Sequence, residues 1–311
     1  MIKLSAALGK ELSSLPERPR IMVIGETDTG KSTLVGLMAR WFRSAPAKVV
    51  VVDSDIGQSD VGPPGFVSYG TVEQGITSLQ SVTRNGSYMV GNTSPYNREL
   101  SVAAGTQACV REAQRQGADV ILVDTCGLVK GVPGVQLKCA KAEAVRPDLI
   151  ITLSTPGLEL LTGCLKLLGF RVCSFLPLRG ARTKSVDERR DNRVSCWNTY
   201  LGSRPRLLSV DLSRVKVRRW WGESRYVDVN QVPHGTVAAV RDPRHPDFQA
   251  ACIFMVSKES EGWDGGEAAE GADRAEGCPS ILVPLPQDYE PDVVWVCSYK
   301  LGLDGTRVIS A

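Results

Sequence analysis

Eight consecutive residues concentrate more chemistry than any other stretch of this chain. Gly25, Glu26, Thr27, Asp28, Thr29, Gly30, Lys31 and Ser32 spell G-x-x-x-x-G-K-S, with Thr33 next. Glycines at its ends let backbone N–H groups close around a triphosphate. The Lys31 ammonium reaches the β- and γ-phosphates, and the Ser32 hydroxyl is a ligand for Mg²⁺. Residues 25–33 are therefore expected to hold ATP or GTP with Mg²⁺. A second group follows the apolar run Val49-Val50-Val51-Val52: Asp53, Ser54, Asp55, Ile56, Gly57 and Gln58. Carboxylates at a strand end beside a phosphate loop hold Mg²⁺ or activate a nucleophile. Asp53 and Asp55, two apart, share a face of an extended segment. Asp53 is read as the metal carboxylate. Gln58 is placed to orient a water, a substrate hydroxyl or the metal shell.

Three further segments carry polar chemistry. Gly91-Asn92-Thr93-Ser94-Pro95-Tyr96-Asn97 combines hydroxyls, amides and a proline in a loop that can grip a phosphate through uncharged donors, with Thr93, Ser94 and Asn97 as candidates. Asp124-Thr125-Cys126-Gly127-Leu128-Val129-Lys130-Gly131 follows another apolar run. Its glycines allow close backbone approach, Thr125 and Lys130 are candidate contacts to bound phosphate, and Lys130 supplies charge. Cys126 reads as a packed small residue, since neither His234 nor His245 is near it in sequence. Between 179 and 193 arginines accumulate. Arg189 and Arg193 are four apart and share one face of a helix. A mobile arginine-bearing helix over a phosphate loop stabilises charge on a transferring phosphoryl group. The plainer alternative is a solvated helix with internal pairs to Asp187 and Asp191.

These groups need positioning elements. The apolar run 21–24 enters the phosphate loop as a strand, and Leu34, Val35, Leu37, Met38, Trp41 and Phe42 leave it at helical spacing. Further strands are expected at 48–52, 120–123, 149–153 and 172–176. Helices are expected at 100–117, 135–146 (stopped by Pro147) and 158–169. Such alternation implies an α/β phosphate-loop NTPase fold, a parallel sheet with helices on both faces and ligands outside the carboxyl ends of its strands. Asn85-Gly86 suggests the turn of a hairpin inserted within 77–90. After residue 202 the pattern changes to short strands at 207–210, 215–220, 235–240, 250–256, 280–283 and 293–298, the mark of a small all-β module. The acidic, Gly- and Ala-rich stretch 259–277 reads as a mobile loop. The expected organisation is an extension at 1–20, a phosphate-loop domain at 21–203 with an arginine lid near 179–202, and a β-rich domain at 204–311.

Composition sets the limits. A chain of 311 residues with net charge +3 is an ordinary globule whose basic surface must be local. Nine cysteines without a C-x-x-C pair indicate neither a disulfide framework nor a zinc site, and fit a reduced, cytoplasmic setting. No apolar run is long enough to span a membrane, so no membrane partner is expected.

Taken in order, the segments resemble the polynucleotide 5′-hydroxyl kinase family, which includes RNA kinases of pre-mRNA cleavage and pre-ribosomal RNA processing. GETDTGKST is similar to its phosphate loop, DSDIGQ to its D-x-G-Q segment, GNTSP to its clasp on the RNA end, DTCGLVKG to its T-x-G-W segment and the arginine stretch to its lid. The resemblance covers roughly residues 20–202. It implies transfer of a γ-phosphoryl group to the 5′-hydroxyl end of RNA or DNA. Asp55 would take the hydroxyl proton, Thr93 and Ser94 would hold the first acceptor phosphate, and Arg189 and Arg193 would close over the γ-phosphate. Leu128 stands where the family often has a base-stacking tryptophan, so stacking is either lost here or supplied by another ring such as Trp197. In the tail, 214–221 mixes basic residues with Trp220 and Trp221, a pattern that suits single-stranded nucleic acid or an ordinary basic surface strand. A switch GTPase or ATPase, or a non-catalytic RNA-binding subunit that keeps nucleotide, is the alternative reading. Protein partners are not indicated.

Overall fold

The computed structural model describes residues 5–178, 180–202, 205–209, 214–220, 227, 231–242, 245–255, 280–284, 291–304 and 307–311. The expected acidic loop at 259–277, as well as Arg179 and Trp221, lies outside the described residues. The chain divides into two compact units, Met1–Arg189 and Arg190–Ala311.

The first unit is built on a seven-stranded sheet. Its strands are β1 (Arg20–Gly25), β2 (Val49–Ser54), β3 (Phe66–Thr71), β4 (Thr83–Met89), β5 (Val120–Thr125), β6 (Leu149–Leu153) and β7 (Val172–Phe175), in the order β4-β3-β2-β5-β1-β6-β7. β2, β5, β1, β6 and β7 are parallel. β3 and β4 form an antiparallel edge, so the sheet is mixed and not wholly parallel as expected. The hairpin lies elsewhere than expected too. Asn85 and Gly86 sit inside β4 and make no turn. Tyr69 pairs with Gly86 but Gly70 pairs with Arg84, so Asn85 is the extra residue of a bulge, with its side-chain oxygen accepting from the Thr71 hydroxyl at 2.8 Å.

Helices α1 (Ala6–Ser13) and α2 (Lys31–Phe42) share a core with one face of the sheet, through Leu8, Leu12, Leu34, Val35 and Met38 against Ile21, Val23, Val51 and Leu122. The alternate residues Met22, Ile24, Val50 and Val52 are equally buried and point to the other face. There α3 (Glu99–Arg115), α4 (Gly131–Val145) and α5 (Glu159–Leu167) pack. Each such side chain removed from water contributes about 1.5–3 kcal/mol, so the β-branched runs hold the strand ends rigidly. α4 begins at Gly131, earlier than expected, because Pro133 in a first turn costs no internal hydrogen bond. It stops at Val145, where Arg146 turns left-handed (φ +50°) ahead of Pro147.

In the second unit, a six-stranded sheet has the order β8-β12-β11-β10-β13-β9, from β8 (Arg206–Ser209), β9 (Lys216–Arg219), β10 (Thr236–Asp242), β11 (His245–Met255), β12 (Ser280–Val283) and β13 (Val293–Lys300). The hairpin β14 (Gly302–Asp304) and β15 (Arg307–Ser310) adds a part that had no counterpart in the expected strands. Val217 of β9 is buried, while Lys216, Arg218 and Arg219 are exposed. Trp220 meets Trp295 edge to face with ring centroids 5.8 Å apart. The last helix, α6 (Val186–Leu201), crosses the division between the units. Its Trp197 is fully buried, and Asn198 exchanges two hydrogen bonds with the Val308 backbone at 2.9 and 3.0 Å.

Gly105 in α3 tests the packing of the sheet edge. A Cβ there would lie 2.6 Å from the Tyr88 ring of β4. In an exposed helix Gly→Ala stabilises by about 1 kcal/mol. Here Gly105→Ala is expected to destabilise by about 1–3 kcal/mol, the usual cost of overpacking, read as a lower denaturation midpoint.

Candidate active site

The phosphate loop sits where β1 ends and α2 begins. Gly30 (φ +89°) and Asp28 (φ +62°) give it two left-handed residues. The second is tolerable because Asp and Asn enter that region more readily than most residues. The Thr29 hydroxyl donates to the Glu26 carbonyl at 2.8 Å and Lys31 Nζ donates to the same carbonyl at 2.7 Å. Burial pulls the Lys31 ammonium below its ordinary range, while Asp124 and Asp55 oppose that. Thr27 and Thr33 are exposed. Gly127 lies so close that a Cβ on it would be 2.6 Å from the Thr27 nitrogen. The turn after β5 thus rests on the phosphate loop, and only glycine permits it.

The parallel register of β2 and β5 sets Asp53 beside Asp124. Both are buried, and they do different work. Asp53 accepts from the backbone N–H of Asp55 (3.0 Å), Asp60 (2.6 Å) and Val61 (3.0 Å) and from the Ser59 hydroxyl (3.0 Å). Burial and then the Asp124 charge push its carboxyl well above the usual range. Three of these bonds fall on Oδ2 and one on Oδ1, and together they fold the loop after β2. Asp53, the expected metal carboxylate, thus has one oxygen, Oδ2, committed to three loop donors. Ser32 instead acts on Asp124 and Asp60, drawing both carboxyls downward. Burial raises Asp124 to about 6 against the opposing pull of Lys31 and Ser32, and burial raises Asp60 as well. A hydroxyl backed by carboxylates is an all-oxygen donor set, and a hard cation that keeps its waters needs no more from the protein. Among the described residues no group of three His, Cys, Asp or Glu residues forms a metal site by itself. The Ser32 and Asp124 pair therefore fits Mg²⁺ only in company with phosphate oxygens.

Asp55 Oδ1 caps its own loop, accepting from Gly57 and Gln58 N–H at 3.0 Å each. Gly57 in turn touches the polar loop after β4, where a Cβ would lie 2.7 Å from the Thr93 carbonyl. Asp55 and Thr93 are thereby brought together although 38 positions separate them in sequence. Ser94 N–H is bound by Asn92 Oδ1 at 2.9 Å, which fixes that loop. Asn97 is exposed with φ +58°. Gln58 donates to the carbonyls of Gly57 (2.9 Å) and Arg189 (3.2 Å), and its buried Oε1 has no hydrogen-bond partner among the described residues. Thr125 is not available to a substrate, because its hydroxyl is buried and bonded to the Val23 carbonyl at 2.8 Å. Lys130 Nζ stands 2.9 Å from Glu26 Oε1. A hydrogen bond from Thr155, reinforced by Lys130, holds the Glu26 carboxyl below the usual range.

The two expected lid arginines have separate surroundings. Arg189 Nη2 is 2.5 Å from Asp28 Oδ2, an oxygen that also accepts from Lys184 N–H at 3.0 Å. Arg193 belongs to the second unit, where its Nε and Nη2 donate to the Ala311 carbonyl at 3.2 and 2.9 Å. Sharing a helix face did not give the two a common partner. Trp197 has no exposed ring face for a base and cannot replace the tryptophan that Leu128 lacks.

Sequence reading missed two lysines. Lys138 and Lys141 of α4 are wholly buried. Lys138 Nζ donates to the Cys126 carbonyl at 2.6 Å and lies 3.3 Å from its Sγ. Lys141 Nζ donates to the Ser54 carbonyl at 3.2 Å and contacts the Ser54 hydroxyl. Burial pushes the Cys126 thiol up, but Lys138 and Lys141 outweigh it and the net direction is down. Lysines one helical turn apart among Leu137 and Ala142 offered a weak signal that the inner face of this helix is charged. Burial lowers Lys141 from 10.5 to about 8. The folded chain therefore holds this proton less tightly than the unfolded chain, and stability from Lys141 grows as pH rises from about 8 toward 10.5. In denaturation curves, the difference between the parent and Lys141→Met is expected to move in the parent's favour by on the order of 2–3 kcal/mol across that window.

The family description "mRNA cleavage and polyadenylation factor CLP1 P-loop" matches residues 25–203. A polyribonucleotide 5′-hydroxyl-kinase of Thermococcus kodakarensis is 37% identical over 180 residues, 58% of this chain and 50% of that protein. One of Pyrococcus furiosus is 34% identical over 208 residues, 67% of this chain and 57% of its own length. The chain thus spans about half the length of the curated relatives it matches. In a solved complex of Clp1p with Pcf11p, one chain superposes with a TM-score of 0.70 over 94% of this chain and 77% of its own, at 13% identity, a likeness of fold. Among the described residues no helix is long and apolar enough to cross a membrane, and no disulfide is formed. With its phosphate loop, its two aspartate-bearing strand ends and this match across more than half its length, the chain belongs to the CLP1 P-loop family.

Proposed function

We propose that the chain transfers the γ-phosphoryl group of ATP or GTP to the 5′-hydroxyl end of a polynucleotide, RNA in the first instance and DNA as a possible second acceptor. One observation carries the reading: Gly57 joins the Asp55 loop to the Thr93–Ser94 loop beside the phosphate loop. A candidate base and a candidate clasp for an acceptor strand then share one edge of the sheet with the triphosphate site. The names of the curated relatives, polyribonucleotide 5′-hydroxyl-kinases, support it.

In this reading Lys31 and the loop N–H groups bind the β- and γ-phosphates. Ser32, with Asp124 behind it, would hold Mg²⁺, which supplies charge neutralisation to the phosphates. Thr93 and Ser94 hold the first acceptor phosphate and orient the hydroxyl for in-line attack. Asp55 accepts the hydroxyl proton; its Oδ1 is engaged by two N–H groups, which orient the carboxylate. Arg189 stabilises charge on the transferring group. Arg193 serves the second unit as an anchor for Ala311. The site lies in a reducing, cytoplasmic protein.

The test is incubation with γ-labelled ATP or GTP and 5′-hydroxyl oligonucleotides of RNA and DNA. Label on the oligonucleotide is expected. Release of inorganic phosphate without labelled oligonucleotide would mark a switch or assembly NTPase. Lys31→Ala is expected to abolish transfer while the chain still folds, checked by circular dichroism beside the transfer assay. Asp55→Asn is expected to bind nucleotide normally and lose transfer, checked by equilibrium binding beside the transfer assay. Arg189→Ala is expected to lower kcat by about 10²–10⁴ with little change in acceptor KM, near the lower range for arginines that act on the transition state.

A further inference from the structure

The phosphate loop contains two carboxylates, Glu26 and Asp28. In an anion-binding loop, negative charge opposes the ligand. The structure shows each one paired with a cation from outside the loop. Lys130, at the start of α4, meets Glu26 Oε1, the same oxygen that accepts from the Thr155 hydroxyl. Arg189, near the start of α6, meets Asp28. These cations come from segments about 100 and 160 positions away in sequence. Neither loop glycine nor Lys31 requires such partners, and the loop N–H groups would bind phosphate without them.

We propose that Glu26 and Asp28 are positioning residues that tether Lys130 and Arg189 to the rim of the phosphate loop. The inference rests on the phosphoryl-transfer reading above and adds to it how the outer cations are brought into place. The tether cancels the loop's own negative charge and holds the two cations beside the site of the triphosphate. The left-handed backbone at Asp28 turns its carboxylate out of the loop toward the lid. There one oxygen takes both the Arg189 guanidinium and the Lys184 N–H. Two other bonds, Leu178 N–H to the Thr29 carbonyl at 3.2 Å and Gln58 to the Arg189 carbonyl, hold the lid backbone but address no charge. The Asp28 pair is the better shielded, at 13% exposure for Asp28 and 23% for Arg189, against 56% for Lys130. Exposed pairs couple weakly, so the decisive test lies at Asp28.

Asp28→Asn keeps a residue that accepts a left-handed backbone, so the fold is preserved. In the full-length chain, kinetics with a 5′-hydroxyl RNA oligonucleotide are measured for Asp28→Asn, Arg189→Ala and the double variant. Asp28→Asn is expected to lower kcat on the order of tenfold, with nucleotide Kd equal to the parent's or tighter. In the Arg189→Ala background it is expected to cost nothing further. Glu26→Gln and Lys130→Ala should show the same non-additivity with smaller losses. Hydrogen exchange over 181–189 supplies a second readout independent of transfer. It should quicken equally in Asp28→Asn and Arg189→Ala, and no more in the double variant. Multiplicative losses in the double variant, or lid exchange in Asp28→Asn equal to the parent's, overturn the tether. A parent chain that labels no oligonucleotide overturns the kinase reading instead, and the exchange measurements then decide the tether by themselves.

Discussion

Charge balance at the carboxyl edge of the sheet governs the rest of the site. Asp53 and Asp124 are drawn out of water with Asp55 and half-buried Asp60 close by, and the β2–β5 register forces the two buried ones to be neighbours. Such an arrangement persists only if each carboxylate has hydrogen-bond donors or a cation. Asp53 is satisfied by three N–H groups and a hydroxyl. Asp124 leans on Lys31 and Ser32. Lys138 and Lys141 bring positive charge from beneath. The site is thus a nearly dry network of opposite charges, and its geometry follows from making every member's bonds at once.

That requirement connects parts of the chain that share no sequence neighbourhood. Lys141 fastens the end of β2 through Ser54, and Lys138 fastens the turn after β5 through Cys126. A single helix therefore locks the two strand ends that bear Asp55 and Asp124. Gly127 brings the second of these turns onto the phosphate loop, and Gly57 brings the first onto the Thr93 loop. Close backbone contacts of this kind leave no slack, which suits the proposed transfer, where a small misplacement of the attacking oxygen costs much of the rate.

The outer cations follow a different logic. Lys31 is buried within its own loop, but Lys130 and Arg189 are carried on helix starts and meet the loop at carboxylates that the loop itself presents. Buried charges organise the inner site, and half-exposed pairs organise its rim. The rim pairs are the ones that salt and solvent weaken most easily, as befits a part that must let a nucleotide in and out.

Much of this was written locally in the chain. The strand, loop and helix at 20–42 follow from an apolar run, glycines and helical spacing, because a phosphate loop is made by short-range geometry. The β-branched runs ending in Asp53 and Asp124 marked buried parallel strands and the edge on which ligands sit. The alternation of elements likewise gave the layered fold and the change to β-structure after residue 202. Tertiary structure decided what each polar group does. Whether Asp53 or Asp124 stands at Ser32 depends on how a loop folds back over one of them. That Thr125 is spent on Val23 depends on which strand lies alongside β5. Arg189 and Arg193 occupy equivalent places on a helix face, yet one meets Asp28 and the other Ala311. The bulge at Asn85 replaced a turn because Phe66–Thr71 was available to pair, a long-range choice that no local propensity contains. Sequence determines which groups are present and which segments are rigid. The partners that spend or spare those groups are chosen only when distant segments meet out of water.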